Sequence, residues 1–180
     1  INNGGNGTER IILAKDLLPS VLGDGGYRVV SEQSGNQLNG KRYEPLYGFL
    51  PVTGDSHYIL LADFVTTNEG TGIVHLAPAF GMDDMDIART RDLPILMTVD
   101  ARGCFVDEIE PWSGLWVKDA DPLITQDLMD RNLLFRAETY LHTYPFCWRC
   151  GTPLLYYARD TWYIATTRFR EQLLDLNQQV

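Results

Sequence analysis

One stretch of the sequence, Gly70–Thr90 (GTGIVHLAPAFGMDDMDIART), brings together an imidazole and a pair of carboxylates. His75 lies inside an apolar run, and Asp83 and Asp84 follow it after a Pro-Ala-Phe-Gly loop. An imidazole and two carboxylates held across a tight loop are residue types that could do chemistry together. Each residue alone also has a structural interpretation, because strand histidines are usually packing or surface residues and aspartates in a first helical turn favour the helix dipole.

A second candidate for chemistry is the segment Cys147-Trp148-Arg149-Cys150. Two thiolates separated by two residues can reach one ion and form half of a tetrahedral zinc site. The chain has no second such pair, Cys104 is distant, and His142 lies five residues before Cys147. Two interpretations stay open, a zinc half-site and two unligated thiols in a β-turn. A redox motif is disfavoured because the strand-to-helix context of thioredoxin-like proteins is missing.

Helices and strands must position these residues. Asp16 is predicted to cap a helix over 17–22, and the patterns at 82–93, 119–135 and 168–180 also predict helices. The segment 119–135 is the clearest, with apolar positions at Leu123, Ile124, Leu128, Leu133 and Leu134. Strand-like runs occupy 9–15, 27–33, 57–65, 71–77, 94–100, 137–146 and 153–167. Many short strands with a few helices predict a barrel-like β core decorated by helices.

Composition narrows the class of protein. The 180 residues and 44% hydrophobic content suit one domain with a sizeable core, and no apolar run approaches the roughly 20 residues of a membrane span. The net charge of −9 disfavours an independent nucleic-acid binder, which would show a basic face. Residues 1–8 predict a flexible tail without signal-peptide features, and this start indicates a piece of a larger protein. The three cysteines do not form a disulfide framework, which favours a cytoplasmic protein.

The string Gly-Thr-Gly-Ile-Val-His-Leu-Ala-Pro-Ala-Phe-Gly-x-Asp-Asp, from Gly70, resembles the editing domain of isoleucyl-tRNA synthetases. Valyl and leucyl enzymes share the Gly-Thr-Gly start and the Pro and Asp positions but are less similar at His75 and at 79–81. The likeness continues in ERIILAKDLL, HYILLADFVTTNEGTG and YLHTYPFCWRCGTPLLYYARDTWYI, and so covers most of residues 9–175. We therefore predict an editing domain over 9–145, followed by a zinc half-site and a segment returning towards the catalytic domain over 146–180.

This resemblance implies a fold and a reaction. The fold is mainly β with α, a six-stranded type of closed β-barrel with peripheral helices. The reaction is hydrolysis of valine wrongly attached to the isoleucine-specific tRNA. It is needed because one methylene contributes only about 1–3 kcal/mol in an apolar pocket, a value established on this very class of enzyme. The chemistry requires no metal or cofactor, and its partners are the tRNA and the remainder of the synthetase, with no membrane.

The resemblance also implies roles for particular residues. Asp84 would anchor the α-ammonium group of the aminoacyl ester, and His75 would form a pocket wall that excludes larger side chains. His75 is not expected to act as a general base, because the sequence supplies no orienting partner for it. Asp83 would support the helix start. The remaining substrate-binding candidates are backbone or small-pocket positions: Thr71, Gly72, Ala79 and Phe80.

Other family features lie outside this chain. The threonine-rich strand that completes the editing pocket, of the form Thr-Thr-x-Pro-Trp-Thr-Leu-Pro, does not occur here, so half of the pocket wall is expected to be missing. The two ATP-binding signatures are also absent, so ATP and Mg²⁺ are assigned to the absent catalytic domain. Zinc would be bound by Cys147 and Cys150 together with an upstream Cys-x-x-Cys in the parent protein. The alternative is a non-catalytic module that docks tRNA or the synthetase core.

Aromatic residues are concentrated between 140 and 163, where they could stack on tRNA bases or form cross-strand core pairs. Burial in the core is the preferred interpretation. The residues concerned are Tyr140, Tyr144, Phe146, Trp148, Tyr156, Tyr157, Trp162 and Tyr163. Four arginines towards the C-terminus could contact phosphates, remain solvated or contact the absent catalytic domain: Arg149, Arg159, Arg168 and Arg170.

Overall fold

The computed structural model describes residues 9–139 and 141–179. These residues form four α-helices, namely α1 (Leu18–Leu22), α2 (Met82–Arg91), α3 (Val117–Asp130) and α4 (Arg170–Asn177). Short 3₁₀ turns occupy Lys15–Leu17, Gly35–Gln37, Glu110–Trp112 and Thr166–Phe169. The predicted tail over 1–8 and the aromatic residue Tyr140 lie outside the described residues.

All four predicted helices are confirmed, but several of their ends differ from the prediction. Asp16 does not cap α1, because it lies in the preceding 3₁₀ turn and the helix begins at Leu18 with Pro19 in its first turn. Helix α3 begins at Val117 and ends at Asp130, so that the apolar pair at 133–134 lies beyond it. Asn132 adopts a left-handed conformation there (φ 54°), which ends the helix in the way that asparagine tolerates.

The predicted closed β-barrel is wrong. Within 9–139 and 141–179, β structure consists of four isolated antiparallel bridges, Arg42–Tyr58, Val99–Phe105, Cys104–Trp116 and Phe146–Pro153. Every bridge joins segments that are close in sequence, whereas a closed barrel needs distant strands to pair. Several segments with strand-like composition stay exposed instead, including Val30 and Val74, which are 64% and 56% accessible. Strand propensity reflects packing against neighbouring strands, and among the described residues these segments have no such neighbours.

The largest apolar cluster, called the Trp112 core, joins the 3₁₀ turn at Glu110–Trp112 to helix α3. Ile109, Trp112 and Ala120 are its buried members. Half-buried residues pack around them, namely Tyr47, Phe49, Leu50, Phe105, Val106 and Ile124. The indole of Trp112 meets the rings of Tyr47 and Phe49 edge-on, with centroid distances of 5.2 and 5.7 Å. Such edge-to-face pairs add to the stabilisation that burial supplies.

A polar network fastens the Trp112 core to the end of α3. The Tyr47 hydroxyl donates to Asp127 Oδ2 (2.8 Å), and Arg131 donates to the same oxygen (2.9 Å) and to the carbonyl of Leu46 (2.7 Å). Partial burial and the bond to the Asp127 carboxylate raise the pKa of Tyr47 to about 12. The Tyr47 hydroxyl and the Arg131 guanidinium lower the pKa of Asp127. The network therefore holds the phenol neutral and the carboxylate ionised.

Outside this core the chain is unusually open. Its accessible surface is 14795 Å², whereas a folded monomer of 20.4 kDa exposes about 8800 Å². Eight apolar residues are buried in the described part, namely Leu17, Val21, Ala79, Ala88, Val99, Ile109, Trp112 and Ala120. Among the described residues no helix is long and apolar enough to cross a membrane.

Candidate functional site

The site loop, residues 77–81, connects an irregular segment to the first turn of α2. The Phe80 N–H donates to the Ala77 carbonyl (2.9 Å), which closes a turn. Gly81 is the N-cap of α2, with extended backbone angles, and its carbonyl accepts the first helical bond from Met85 (3.0 Å). No side chain caps this helix end. The backbone amides of its first turn therefore face the site loop without helical partners.

Asp84, in the first turn of α2, folds back over the site loop. Its Oδ2 accepts a hydrogen bond from the Ala77 N–H (3.2 Å), and the side chain is half-buried. A Cβ at Gly81 would lie 2.5 Å from this oxygen and 2.9 Å from Asp84 Cγ, so only glycine allows the carboxylate to lie here. Within the described ranges Asp84 Oδ1 has no hydrogen-bond partner. Asp84 is thus held by one carboxylate oxygen, Oδ2.

His75 lies two residues before the amide that Asp84 binds. Two residues of chain span at most about 7 Å, so the two predicted site residues share one neighbourhood. The imidazole is exposed, and it makes no hydrogen bond, ion pair or ring contact with the other described residues. Among the described residues, none orients the His75 ring. Asp83, one residue before Asp84, is also exposed.

Thr71 and Gly72 form a turn that is packed against the segment before α1. The Ala14 N–H donates to the Thr71 carbonyl (2.8 Å), and the Thr71 hydroxyl donates to the carbonyl of Ile73 (2.9 Å). Gly72 has φ 73°, and a Cβ there would lie 2.5 Å from that of Ala14. Glycine is therefore required both by the backbone conformation and by the close approach of the two chains.

A cleft of about 590 Å³ borders the site loop and lies between α2 and residues 156–160. Ala79 and Phe80 line it, whereas Thr71, Gly72, His75 and Asp84 do not. The Ala158 N–H donates to the Ala79 carbonyl (2.6 Å) and joins the two walls. Sequence reasoning missed the helical wall, which consists of Met82, Met85, Asp86 and Arg89. Their spacing of three and four residues is the signal that predicts one helix face.

Cys147 and Cys150 lie at the tip of a tight turn. The Gly151 N–H donates to the Cys147 carbonyl (2.8 Å), with Gly151 at φ 69°. The Cys150 sulfur lies 3.1 Å from the Thr152 hydroxyl. Hydrogen bonds from Thr152 and from Cys147 lower the pKa of Cys150. Donors directed at a sulfur favour the thiolate that metals bind, so the pair fits half of a zinc site.

The described residues offer no further ligands for this half-site, since no group of three or more His, Cys, Asp or Glu side chains in them could hold a metal ion. Cys104 is a separate, half-buried thiol. Two more ligands would have to come from elsewhere to complete a tetrahedral zinc site.

The predicted burial of the aromatic cluster is wrong for most of its described members. Trp148, Trp162 and Tyr163 are 86%, 100% and 82% accessible, and Tyr156 and Phe146 are also exposed. Tyr144 and Tyr157 are half-buried. The reason is the missing barrel, because cross-strand pairs bury aromatic rings only where strands pair.

Known proteins resemble this chain along nearly its whole length. It is 47% identical over 180 residues, all of the chain, to an isoleucine–tRNA ligase of Clostridium acetobutylicum, and these residues cover 17% of that relative. The isoleucine–tRNA ligase of Thermus thermophilus is 44% identical over 97% of the chain, and the matched part is 16% of that relative. The isoleucine–tRNA ligase of Picrophilus torridus is 46% identical over 86% of the chain, and the matched part is 15% of that relative. No family model matches the chain. The resemblance to isoleucyl-tRNA synthetases is thereby confirmed, and the chain spans about a sixth of the length of the curated relatives it matches.

Proposed function

We propose that this homologue of isoleucine–tRNA ligases hydrolyses the ester that joins valine to the isoleucine-specific tRNA, and so protects the fidelity of protein synthesis. The carboxylate of Asp84 carries the proposal, because a backbone N–H holds it beside a residue without a side chain. Ligation of isoleucine to tRNA with ATP and Mg²⁺ would be the task of other parts of a synthetase.

Asp84 is the proposed anchor for the α-ammonium group of the esterified amino acid. A charge-assisted hydrogen bond to Oδ1 would fix the position and orientation of the ester. The bond between Oδ2 and the Ala77 N–H keeps the carboxylate from rotating away. Asp83 lacks such a bond in the described structure and is assigned to the electrostatics of the helix start.

His75 is the proposed pocket wall. Its ring is exposed and belongs to a residue whose Cα lies within about 7 Å of that of Ala77, so it can limit the size of the amino-acid side chain that enters beside Asp84. Thr71 and Gly72 hold the preceding turn against Ala14 and so set the position of the segment that carries His75. Ala79 and Phe80 shape the far side of the loop, where they face the cleft.

The hydrolytic step uses water as the nucleophile. Attack on the ester carbonyl gives a tetrahedral oxyanion, and its collapse releases valine and restores the terminal ribose hydroxyl of the tRNA. Free backbone N–H groups in the first turn of α2, or that ribose hydroxyl, would stabilise the oxyanion. No step requires a metal.

We also propose that Cys147 and Cys150 supply two of the four ligands of a structural zinc site whose other ligands lie in another part of a synthetase. Zinc bound there would stabilise the turn and take no part in the hydrolysis. In this chain alone the two thiols would bind zinc weakly, and the Zn²⁺ content of the purified chain measures this directly.

A second candidate function is a non-catalytic module that docks onto tRNA or onto the core of a synthetase. The observation that favours it is the exposed apolar surface near α4, where Trp162 and Ile164 are 100% and 76% accessible. Binding of a non-hydrolysable valine-ester analogue separates the candidates. Shifts in the resonances of His75 and Asp84 support the hydrolase, and their absence supports the module.

The decisive experiment is single-turnover deacylation of valyl- and isoleucyl-tRNA of isoleucine specificity. The chain is expected to release valine faster than isoleucine, and Asp84→Asn is expected to slow valine release by about 100-fold because the ammonium loses its anchor. Asp83→Asn is the matched control, since it makes the same charge change one residue away on an exposed side chain and should retain the rate.

Equal rates for Asp84→Asn and the unaltered chain would remove Asp84 from the site. Release of neither amino acid would contradict hydrolysis by this chain. The same assay with the threonine-rich strand added in front of Glu9 then shows whether the missing wall is the cause.

A further inference from the structure

The cysteine hairpin, residues 144–154, presents two side chains at its tip in a fixed position. Backbone bonds from Cys147 N to Thr152 O (2.8 Å) and from Leu154 N to Pro145 O (3.0 Å) join its arms. The Tyr144 hydroxyl donates to the Leu154 carbonyl (2.6 Å) at its base. The turn residues between the cysteines, Trp148 and Arg149, are therefore carried by a braced hairpin.

The indole of Trp148 is offered to solvent. The side chain is 86% accessible, and the guanidinium of Arg149 lies over its ring at 4.6 Å. An exposed tryptophan on a rigid turn gains nothing from burial, whereas its flat face suits stacking by another ring system. Arg149 orients the ring by a cation–π contact and places a positive charge beside it.

The sequence around the hairpin is depleted of negative charge. Residues 139–159 contain no Asp or Glu, although the whole chain has 24 of them in 180 residues. Arg149 and Arg159 lie in this acid-free stretch. Lys118 adds a further positive charge at the base of the hairpin, 5.9 Å from the centre of the Tyr144 ring. This part of an otherwise acidic molecule is thus electrostatically suited to a polyanion.

We propose that the tip of the cysteine hairpin is a stacking site for an unpaired nucleotide of an RNA. A base stacks on the open face of Trp148, while Arg149 contacts the neighbouring phosphate. The choice of RNA as the occupant rests on the proposed function, in which the substrate is a tRNA. The site is distinct from the Asp84 region, because Trp148 and Arg149 lie at the tip of the cysteine hairpin, whereas Asp84 lies in the first turn of α2.

The test is binding of a labelled single-stranded oligouridylate of about 10 nucleotides, followed by fluorescence anisotropy. Trp148→Ala is expected to weaken binding by about 5- to 100-fold, and Trp148→Phe, which keeps a ring, by less. Arg149→Gln is expected to reduce the slope of log affinity against log salt by about 0.7, the value for one phosphate contact with a single strand. Tyr43→Ala is the control, since Tyr43 is an exposed aromatic residue, 50% accessible, that lies outside the hairpin and outside the surface near α4.

The outcomes are distinct from those of the deacylation assay, because the oligonucleotide carries no ester. Loss of binding in Trp148→Ala with retained binding in Tyr43→Ala supports the proposal. Equal losses in both variants, or no binding by the unaltered chain, overturn it. Self-association that Trp148→Ala abolishes, with no effect on RNA binding, also overturns it and assigns the hairpin tip to a protein partner.

Discussion

The Trp112 core and the site loop hold their shapes by different means. The Trp112 core contains buried apolar side chains and ring contacts, reinforced by the network of Tyr47, Asp127 and Arg131. The site loop has one buried side chain, Ala79, and depends on single hydrogen bonds such as that from Ala77 N to Asp84 Oδ2. Burial of apolar side chains stabilises the fold through many contacts at once, whereas a single hydrogen bond mainly holds one side chain in place. The core should therefore govern stability and the loop activity.

The largest effect expected from this difference is that of Trp112→Ala. The side chain is 6% accessible and contacts three other rings, so its removal leaves a cavity and should lower the free energy of unfolding by about 3–5 kcal/mol. Urea unfolding followed by circular dichroism measures the change. Trp162→Ala, on a fully exposed side chain, should change the same free energy by less than about 0.5 kcal/mol. Similar losses in the two variants would show that the Trp112 core does not govern stability.

Gly81→Ala should separate position from stability in the site loop. The added Cβ would lie 2.5 Å from Asp84 Oδ2, so the carboxylate must move and release the Ala77 N–H. We expect valine release to slow by about 100-fold, because a displacement of about 1 Å in a positioned group has that effect. The amide resonance of Ala77 should shift, and the urea midpoint should change little.

The control for this substitution is Gly25→Ala, where a Cβ meets nothing within 4 Å and the backbone does not have a positive φ. It should leave both the rate of valine release and the Ala77 resonance unaltered. An unchanged Ala77 resonance in Gly81→Ala would mean that Asp84 does not lie over the loop in solution.

The smallest effect concerns the pH dependence of the Trp112 core. Because the pKa of Tyr47 is raised from its ordinary 10.0 to about 12, its protonated form contributes stability that is complete below about pH 10 and declines as the pH rises towards about 12. Tyr47→Phe should remove this decline, which comparison of urea unfolding at about pH 9 and about pH 11 measures.

Asp127 gives the complementary dependence at acidic pH. The pKa of Asp127 is lowered, so its contribution to stability is present above the ordinary value of 3.8 and is lost as the pH falls through the lowered pKa.

Tyr43→Phe is the control for the Tyr47→Phe prediction at alkaline pH, because the Tyr43 hydroxyl makes no hydrogen bond in the described part of the chain. An alkaline decline that persists in Tyr47→Phe would assign the loss of stability to other tyrosines.

Local sequence patterns predicted the helices better than any other feature. The periodicity of α3 and the acidic first turn of α2 are set by residues that lie next to one another in the chain. The shared neighbourhood of His75 and Asp84 was also predictable, because nine residues with a tight turn separate them. The helical wall of the cleft was missed, although Met82, Met85 and Arg89 have the spacing of one helix face. The predicted domain boundary at 145–146 stays a prediction.

The sequence by itself determined the helices, the relationship to isoleucine–tRNA ligases and the residue types at the candidate site, because these depend on local order and on residue identity. Tertiary structure alone decided which strand-like segments pair, that the aromatic side chains near Trp148 are exposed, and that Asp84 folds over Gly81. The physical reason is that pairing and burial require partners distant in the chain. A propensity describes how well a segment would fit such a partner and does not supply one.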